Sequence, residues 1–252
     1  MESNSTYHLL SSILKILKMM TESGAEIYRI EESANLIFKA YGFKDVDVYA
    51  TTSNIIISVE TQDNVIKTHT RRIDKIATDI EKIDRLNSLV RDITANTPEY
   101  GYIENEIEKI EGIKKYPAWV NIAFYGVIAG AFYCFFGGRT LFEFIVSLAI
   151  GLCTGVLNTL FDKLEFNKIL SKFLLCFVAS IIAITLQKLT VVSHLEYIMI
   201  ANIMTLIPGI GLTNSLRDLF VGDNISGVLR LIEAGLSALA IACGYVAASS
   251  LF

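Results

Sequence analysis

Ile169-Leu-Ser-Lys-Phe-Leu-Leu-Cys-Phe-Val-Ala-Ser-Ile-Ile-Ala-Ile-Thr-Leu186 holds a single charge, Lys172, in eighteen residues. As a helix rising 1.5 Å per residue it runs about 27 Å, close to the roughly 30 Å of hydrocarbon in a bilayer. It reads as a membrane span. Four more segments of this kind flank it: Ala118–Phe136, Leu141–Phe161, Tyr197–Phe220 and Gly227–Ser249. All five follow Pro117. Of the 48 Lys, Arg, Asp and Glu residues, 34 lie in residues 1–117 and only 14 in the remaining 135. The expected architecture is therefore an α-helical multi-pass membrane protein of about five transmembrane helices. It carries a small soluble α+β domain over residues 1–115, followed by a membrane domain over 116–252.

Lysine and arginine placement sets the expected orientation. With the N-terminus inside, the inner side receives Lys114, Lys115, Lys163, Lys168, Lys172, Arg217 and Arg230, and the outer side only Arg139 and Lys188. Tyr116 and Trp119 fall at the first inner boundary, where amphipathic rings settle. The first twenty residues are broken by Ser11, Ser12, Lys15 and Lys18 and show no cleavable leader, so the N-terminal domain is expected in the cytoplasm. The localisation that follows is the cell (inner) membrane. The net charge of −4 resides in the first part, with no basic face for nucleic acid.

The fourth span is the informative one. Leu206-Ile-Pro-Gly-Ile-Gly-Leu-Thr-Asn214 places Pro208 near its midpoint. Proline removes a backbone donor and glycine adds freedom, so this helix is expected to kink or break inside the membrane. A break leaves the amides near Gly209 and Gly211 at a new helix start, a place that suits an anion. Broken helices at the midplane are where many secondary transporters hold substrate. The plainer reading is a proline kink that only shapes packing.

Thr213, Asn214, Arg217 and Asp218 follow on the same helix, and Asp223, Ser226, Arg230 and Glu233 lead into the fifth span. Asn214 with Arg217, and Arg230 with Glu233, share a helix face at a spacing of three. Ionisable groups here are costly to bury unless paired or facing a polar cavity, although the arginines could equally anchor the helices at the interface. Glu233 lies nearly two turns inside its span, where it could pair with an arginine or carry a coupling proton. Glu143 and Asn158 are weaker candidates, each near a membrane surface.

In the N-terminal part, residues 6–21 and 25–41 read as amphipathic helices separated by Ser23-Gly24. Strands follow at Asp45–Thr51, Asn54–Glu60 and about Val65–Thr70, the last after a Gln62-Asp63-Asn64 turn. A helix is expected over 74–95, with Ile73, Ile76, Ile80, Ile83 and Leu86 on one side, and a charged helix near 99–111. Glu22, Glu26, Arg29, Glu31 and Glu32 form a surface salt-bridge ladder or a docking element for the membrane part. No GxSxG, HExxH or phosphate loop is present, and His8, His69 and His194 are scattered. Cys134, Cys153, Cys176 and Cys243 all lie in apolar runs without metal spacing. An enzyme, a metal and a cofactor are all unexpected.

Ser23-Gly-Ala-Glu-Ile-Tyr-Arg-Ile-Glu-Glu32, followed by Asp45-Val-Asp-Val-Tyr49 and Ile55-Ile-Ile-Ser-Val59, resembles the N-terminal region of the threonine/serine exporter family. Leu206-Ile-Pro-Gly-Ile-Gly-Leu-Thr-Asn-Ser-Leu-Arg-Asp218, then Gly222-Asp223, Ser226-Gly227 and Arg230-Leu-Ile-Glu-Ala234, is similar to that family's segment around its broken helix. The resemblance implies secondary export of threonine and serine or, in a related branch, of a dicarboxylate such as succinate. It marks Gly24, Glu26, Arg29 and Glu32 as an N-terminal motif. Full-length members look like this chain plus a second membrane block. The chain therefore resembles the split branch, in which a second small multi-pass membrane subunit, or a homo-oligomer, completes the transporter. Five spans are an odd number, as inverted repeats require. The expected substrate-binding groups are Pro208, Gly209, Gly211, Thr213, Asn214, Arg217 and Arg230, with Asp218, Asp223 and Glu233 for charge coupling. The competing expectation is a membrane-anchored ligand-sensing or regulatory subunit.

Overall fold

A computed structural model describes residues 3–60, 65–113 and 116–252. It divides into two compact units, one of Met1–Lys114 with Thr213–Arg230, the other of Lys115–Leu212 with Leu231–Phe252. The Gln62–Asn64 turn expected from the sequence, and Lys114 and Lys115, lie outside the described residues.

In the first unit, helix α1 (Ser3–Glu22) carries Leu9, Leu10, Ile13, Leu14, Ile16, Leu17 and Met20, none more than 2% exposed. Positions so spread around the axis bury most of the helix, and a helix apolar nearly all round belongs inside. Packed around α1 are α2 (Ile27–Ala40), α3 (Ile80–Asn96), α4 (Tyr100–Glu111) and a three-stranded antiparallel sheet. The sheet runs β1 (Val46–Ala50), β2 (Asn54–Glu60) and β3 (Ile66–Arg72), with Val46 opposite Val59 and Asn54 opposite Arg72. The period of two along β2 sends Ile55, Ile57 and Val59 into the core. In the β1–β2 turn the Thr51 hydroxyl accepts from the amides of Ser53 (3.3 Å) and Asn54 (3.0 Å).

The helix expected over 74–95 begins later, at Ile80. The preceding strap is fixed by bonds to other elements: Ile73 N–H to Ser53 O (2.9 Å), Ala77 N–H to Glu22 O (2.8 Å) and Asp79 N–H to Ser23 O (3.0 Å). Those donors cannot serve a helix as well. Ile73 is still buried, so its periodicity reports the core and not the helix. Asp79 starts α3 as its cap, accepting from Lys82 N–H at 3.1 Å.

The second unit is helical. α5 (Ala118–Phe135), α6 (Leu141–Lys163), α7 (Lys168–Lys188) and α10 (Asn224–Ser249) are each long and apolar enough to cross a bilayer. α5 and α6 meet through glycines. A Cβ on Gly151 would fall 2.6 Å from Tyr125 O, and one on Gly126 2.7 Å from Leu152 Cγ, so the close helix approach requires both. The fourth span is broken as expected: α8 (Leu195–Met204) and α9 (Gly209–Val221) are separated by four residues ending at Pro208 and bent by 58°. Large apolar side chains such as Phe135 and Leu141 stand exposed (77% and 73%), as lipid-facing residues do. The chain is a multi-pass membrane protein with, among the described residues, four such helices, or five spans when the bent pair is counted as one.

Candidate functional site

α1 ends in a tight turn. Ala25 N–H reaches back to Met20 O (3.0 Å), and Gly24 sits at φ +88°, a conformation in which any other residue is strained. Four residues, Gly24 to Ile27, then lead into α2. Each is held by a different polar side chain of α9 or α10. Asn214 Nδ2 donates to Gly24 O at 3.3 Å, and Arg230 donates to Ala25 O at 2.8 Å. Arg217 pairs with the Glu26 carboxylate, and Asp218 Oδ1 accepts from Ile27 N–H at 3.4 Å. Asn214, Arg217 and Asp218 can do this together because spacings of three and four put them on one face of α9. Asp218 stands where a capping carboxylate would at the positive end of α2.

The two arginines occupy different surroundings. Arg230 is 7% exposed, lies 3.4 Å from the fully buried Asp218 carboxylate and is held by Ala25 O. Arg217 has a side chain 53% exposed, and its guanidinium lies 5.7 Å from the Tyr28 ring centre. The other oxygen of Glu26 accepts from Arg29 at 3.1 Å, so one carboxylate bridges two arginines. Gly222, at φ +106°, ends α9. Asp223 N–H then bonds to Asp218 O at 2.9 Å. Among the described residues Asp218 Oδ2, Asp223 Oδ2 and Arg230 Nε are buried without a hydrogen-bond partner. Burial pushes the Asp223 carboxyl above its usual range. Burial, with the Asp223 charge adding to it, also raises Glu31, against the bond it accepts from Ala50 N–H at 2.8 Å.

The fold thus gathers Gly24, Glu26, Arg29, Asn214, Arg217, Asp218 and Arg230 into one polar cluster, with Asp223 interacting with Glu31. Pro208 precedes α9, where Gly209 N–H bonds to Ile207 O (2.9 Å) and Leu212 N–H to Pro208 O (3.0 Å). Gly211 and Thr213 are exposed on its first turns. Glu32 and Glu233 make no hydrogen bond or ion pair among the described residues, and Glu233 is exposed in the second unit. Arg230 turns to Asp218, not to Glu233. The sequence placed Glu31 in a surface ladder or docking element but not in its bond to Ala50 N–H, and it missed the carbonyls of Gly24 and Ala25, since backbone acceptors have no signature in residue type.

A second polar network lies in the other unit. Glu143, 3% exposed, accepts from Tyr133 Oη (2.7 Å), Ser193 N–H (2.8 Å) and His194 N–H (3.1 Å), with His194 Nδ1 at 3.2 Å. The carboxylate therefore caps the start of α8. Further along α8, Asn202 Nδ2 donates to Ser147 Oγ (3.2 Å) and Ile198 O (2.9 Å). Asn158 bonds to Asp162 at 3.0 Å.

Residues 11–252 match the family model of the threonine/serine exporters (ThrE). Among curated proteins the chain is similar to "Probable succinate transporter subunit YjjP" of Klebsiella aerogenes, 23% identical over 234 residues, covering 92% of this chain and 90% of the relative. The protein of the same description from Escherichia coli (strain K12) is 22% identical with the same coverage. No solved structure matches the chain. A polar turn clasped by α9 and α10, a proline-broken span and a family match over nearly the whole length agree: the chain belongs to the threonine/serine exporter family, a family of membrane transporters.

Proposed function

We propose that this chain is a subunit of a secondary transporter that exports small hydrophilic carboxylates, threonine and serine or a dicarboxylate such as succinate. A second small multi-pass membrane protein completes it, with a homo-oligomer as the other arrangement. The observation that carries the reading is the clasp of the Gly24–Ile27 turn by Asn214, Arg217, Asp218 and Arg230. Polar and charged groups on a helix that follows a break in a membrane span are expensive to keep unless paired or facing a polar cavity, and such broken helices are where many secondary transporters hold substrate. In this reading the N-terminus is cytoplasmic and residues 1–115 form the soluble domain. Substrate carboxylate is drawn by Arg217 or Arg230 toward the start of α9 at Gly209 and Gly211, with Thr213 and Asn214 adding hydrogen bonds. Glu233 or Asp223 exchanges the coupling proton, and Asp218 balances Arg230.

A second reading has its own support. The motif turn itself holds the α9–α10 groups, so the N-terminal part could act as a ligand-sensing regulatory subunit while a partner forms the pathway. Efflux from cells preloaded with threonine, serine or succinate separates the two. The transporter reading expects efflux that requires this chain with its partner and is lost in Arg230→Ala and Glu233→Gln proteins that insert normally. Efflux by the partner alone, altered only in its regulation by this chain, would favour the sensor.

A further inference from the structure

Of the two arginines proposed for the substrate, the structure leaves only one free to change partners. Arg230 is buried, paired with a fully buried carboxylate and bonded to Ala25 O. Removing either member of such a pair leaves an uncompensated charge, so neither partner exchanges readily. Arg217 is half exposed and its fixed partner is an acid, Glu26, on the motif turn. Its guanidinium also neighbours the Tyr28 ring, which adds a cation–π contact without using its hydrogen-bond donors.

Resting on the export reading above, we propose that Glu26 is a built-in competitor for a carboxylate site on Arg217: an incoming carboxylate displaces Glu26 and releases the Gly24–Ile27 turn. The chemistry favours exchange of like for like. Glu26 gives Arg217 one carboxylate oxygen, whereas a free carboxylate ligand can offer both, and the displaced Glu26 keeps Arg29 at 3.1 Å as its partner. The displaced acid is therefore never left without a cation, and the exchange needs no new buried charge. The energy at stake is modest, because the Arg217 side of the pair is half exposed to solvent although Glu26 is largely covered. That suits a contact made and broken in every cycle. Once Glu26 lets go, the turn keeps the bonds at Gly24 O and Ala25 O, so Asn214 and Arg230 act as the hinge, and the long bond from the neighbouring Ile27 N–H to Asp218 (3.4 Å) is the one that opens. Arg217 and Tyr28 become the ligand-contacting residues, and Glu26 the gate.

Hydrogen exchange over residues 24–28 of the purified full chain reads the turn directly. The probes are threonine, serine and succinate, with butane-1,4-diol as a control of similar size lacking a carboxylate. At least one carboxylate is expected to speed exchange of the Ile27 amide in the wild-type protein, and the diol to leave it unchanged. Glu26→Gln, which cannot form the ion pair, should exchange about two- to fivefold faster with no ligand present, the range expected from loss of one partly exposed pair. Exchange in Glu26→Gln as slow as in the wild type would overturn the gate, as would an equal effect of the diol. Efflux measured in parallel separates the two claims. Normal efflux with an unresponsive turn overturns the gate and keeps the exporter. A turn opened by Glu26→Gln in a chain that supports no efflux keeps the competing contact and removes the export reading.

Discussion

At the scale of residues, burial decides which charges are structural. Asp218 and Arg230 compensate one another inside the first unit, 3.4 Å apart. Asp218→Asn or Arg230→Met alone should destabilise the protein by roughly 3–5 kcal/mol, and the double variant by less than the sum, because no orphan charge remains. Chemical denaturation of the purified protein measures both. Arg217→Ala should shift stability by about 1 kcal/mol, since Arg217 is half exposed and Glu26 keeps Arg29 as a partner, while export falls. Glu31 and Asp223 both have carboxyls raised above their ordinary range. A raised folded value means that the native state binds more protons than the unfolded one. Stability therefore decreases as pH rises from the ordinary carboxylate range, about 4, through the raised values. Glu31→Gln, which keeps an acceptor for Ala50 N–H, should flatten that part of the pH–stability profile. A profile identical to the wild type would refute the assignment. Asn214 and Arg217 were legible as one helix face from their spacing, and Glu26 and Arg29 as part of a ladder or docking element. The partners that complete the cluster were not legible. Two are backbone carbonyls, which no side-chain pattern marks, and the pairing of Asp218 with Arg230 depends on how α9 folds back into α10.

At the scale of elements, the long apolar runs were the easiest features to read. Eighteen or more apolar residues leave a chain few options in lipid, where every backbone group must be satisfied within the segment. Pro208 similarly announced the break between α8 and α9. The start of α3 was misread because Ile73 and Ile76 continue its apolar period although their segment is a strap bonded to Ser53, Glu22 and Ser23. Periodicity reports which residues face the core, and the destination of the backbone donors decides the conformation. The turn after α1 depends on Gly24 in the left-handed region. Gly24→Ala should cost about 1–2 kcal/mol and shift the Gly24 and Ala25 carbonyls away from Asn214 and Arg230. Thermal unfolding gives the first effect, and faster hydrogen exchange at Ile27 the second. In the second unit, Glu143 gathers donors from α5 and from the start of α8. Its position near a membrane surface made it look peripheral in the sequence, where its partners Ser193 and His194 lie some fifty residues away.

At the scale of the whole molecule, the chain has the hydrophobic bulk of a multi-pass protein and a charged N-terminal part whose motif turn is clasped by α9 and α10. This arrangement gives the export reading its physical content. In that reading, the groups proposed to attract an anion are tied to the turn it would release, on a helix that begins at a break in a candidate membrane span. The most direct test is the rate of threonine, serine and succinate efflux from preloaded cells making this chain with its partner subunit, comparing wild type with Arg217→Ala at equal membrane insertion. The account predicts rapid efflux of at least one of these carboxylates in the wild type and at least a tenfold loss in Arg217→Ala, the order expected when one charge-assisted contact is removed. Efflux unchanged by Arg217→Ala, or none from the wild type with both subunits inserted, would contradict it.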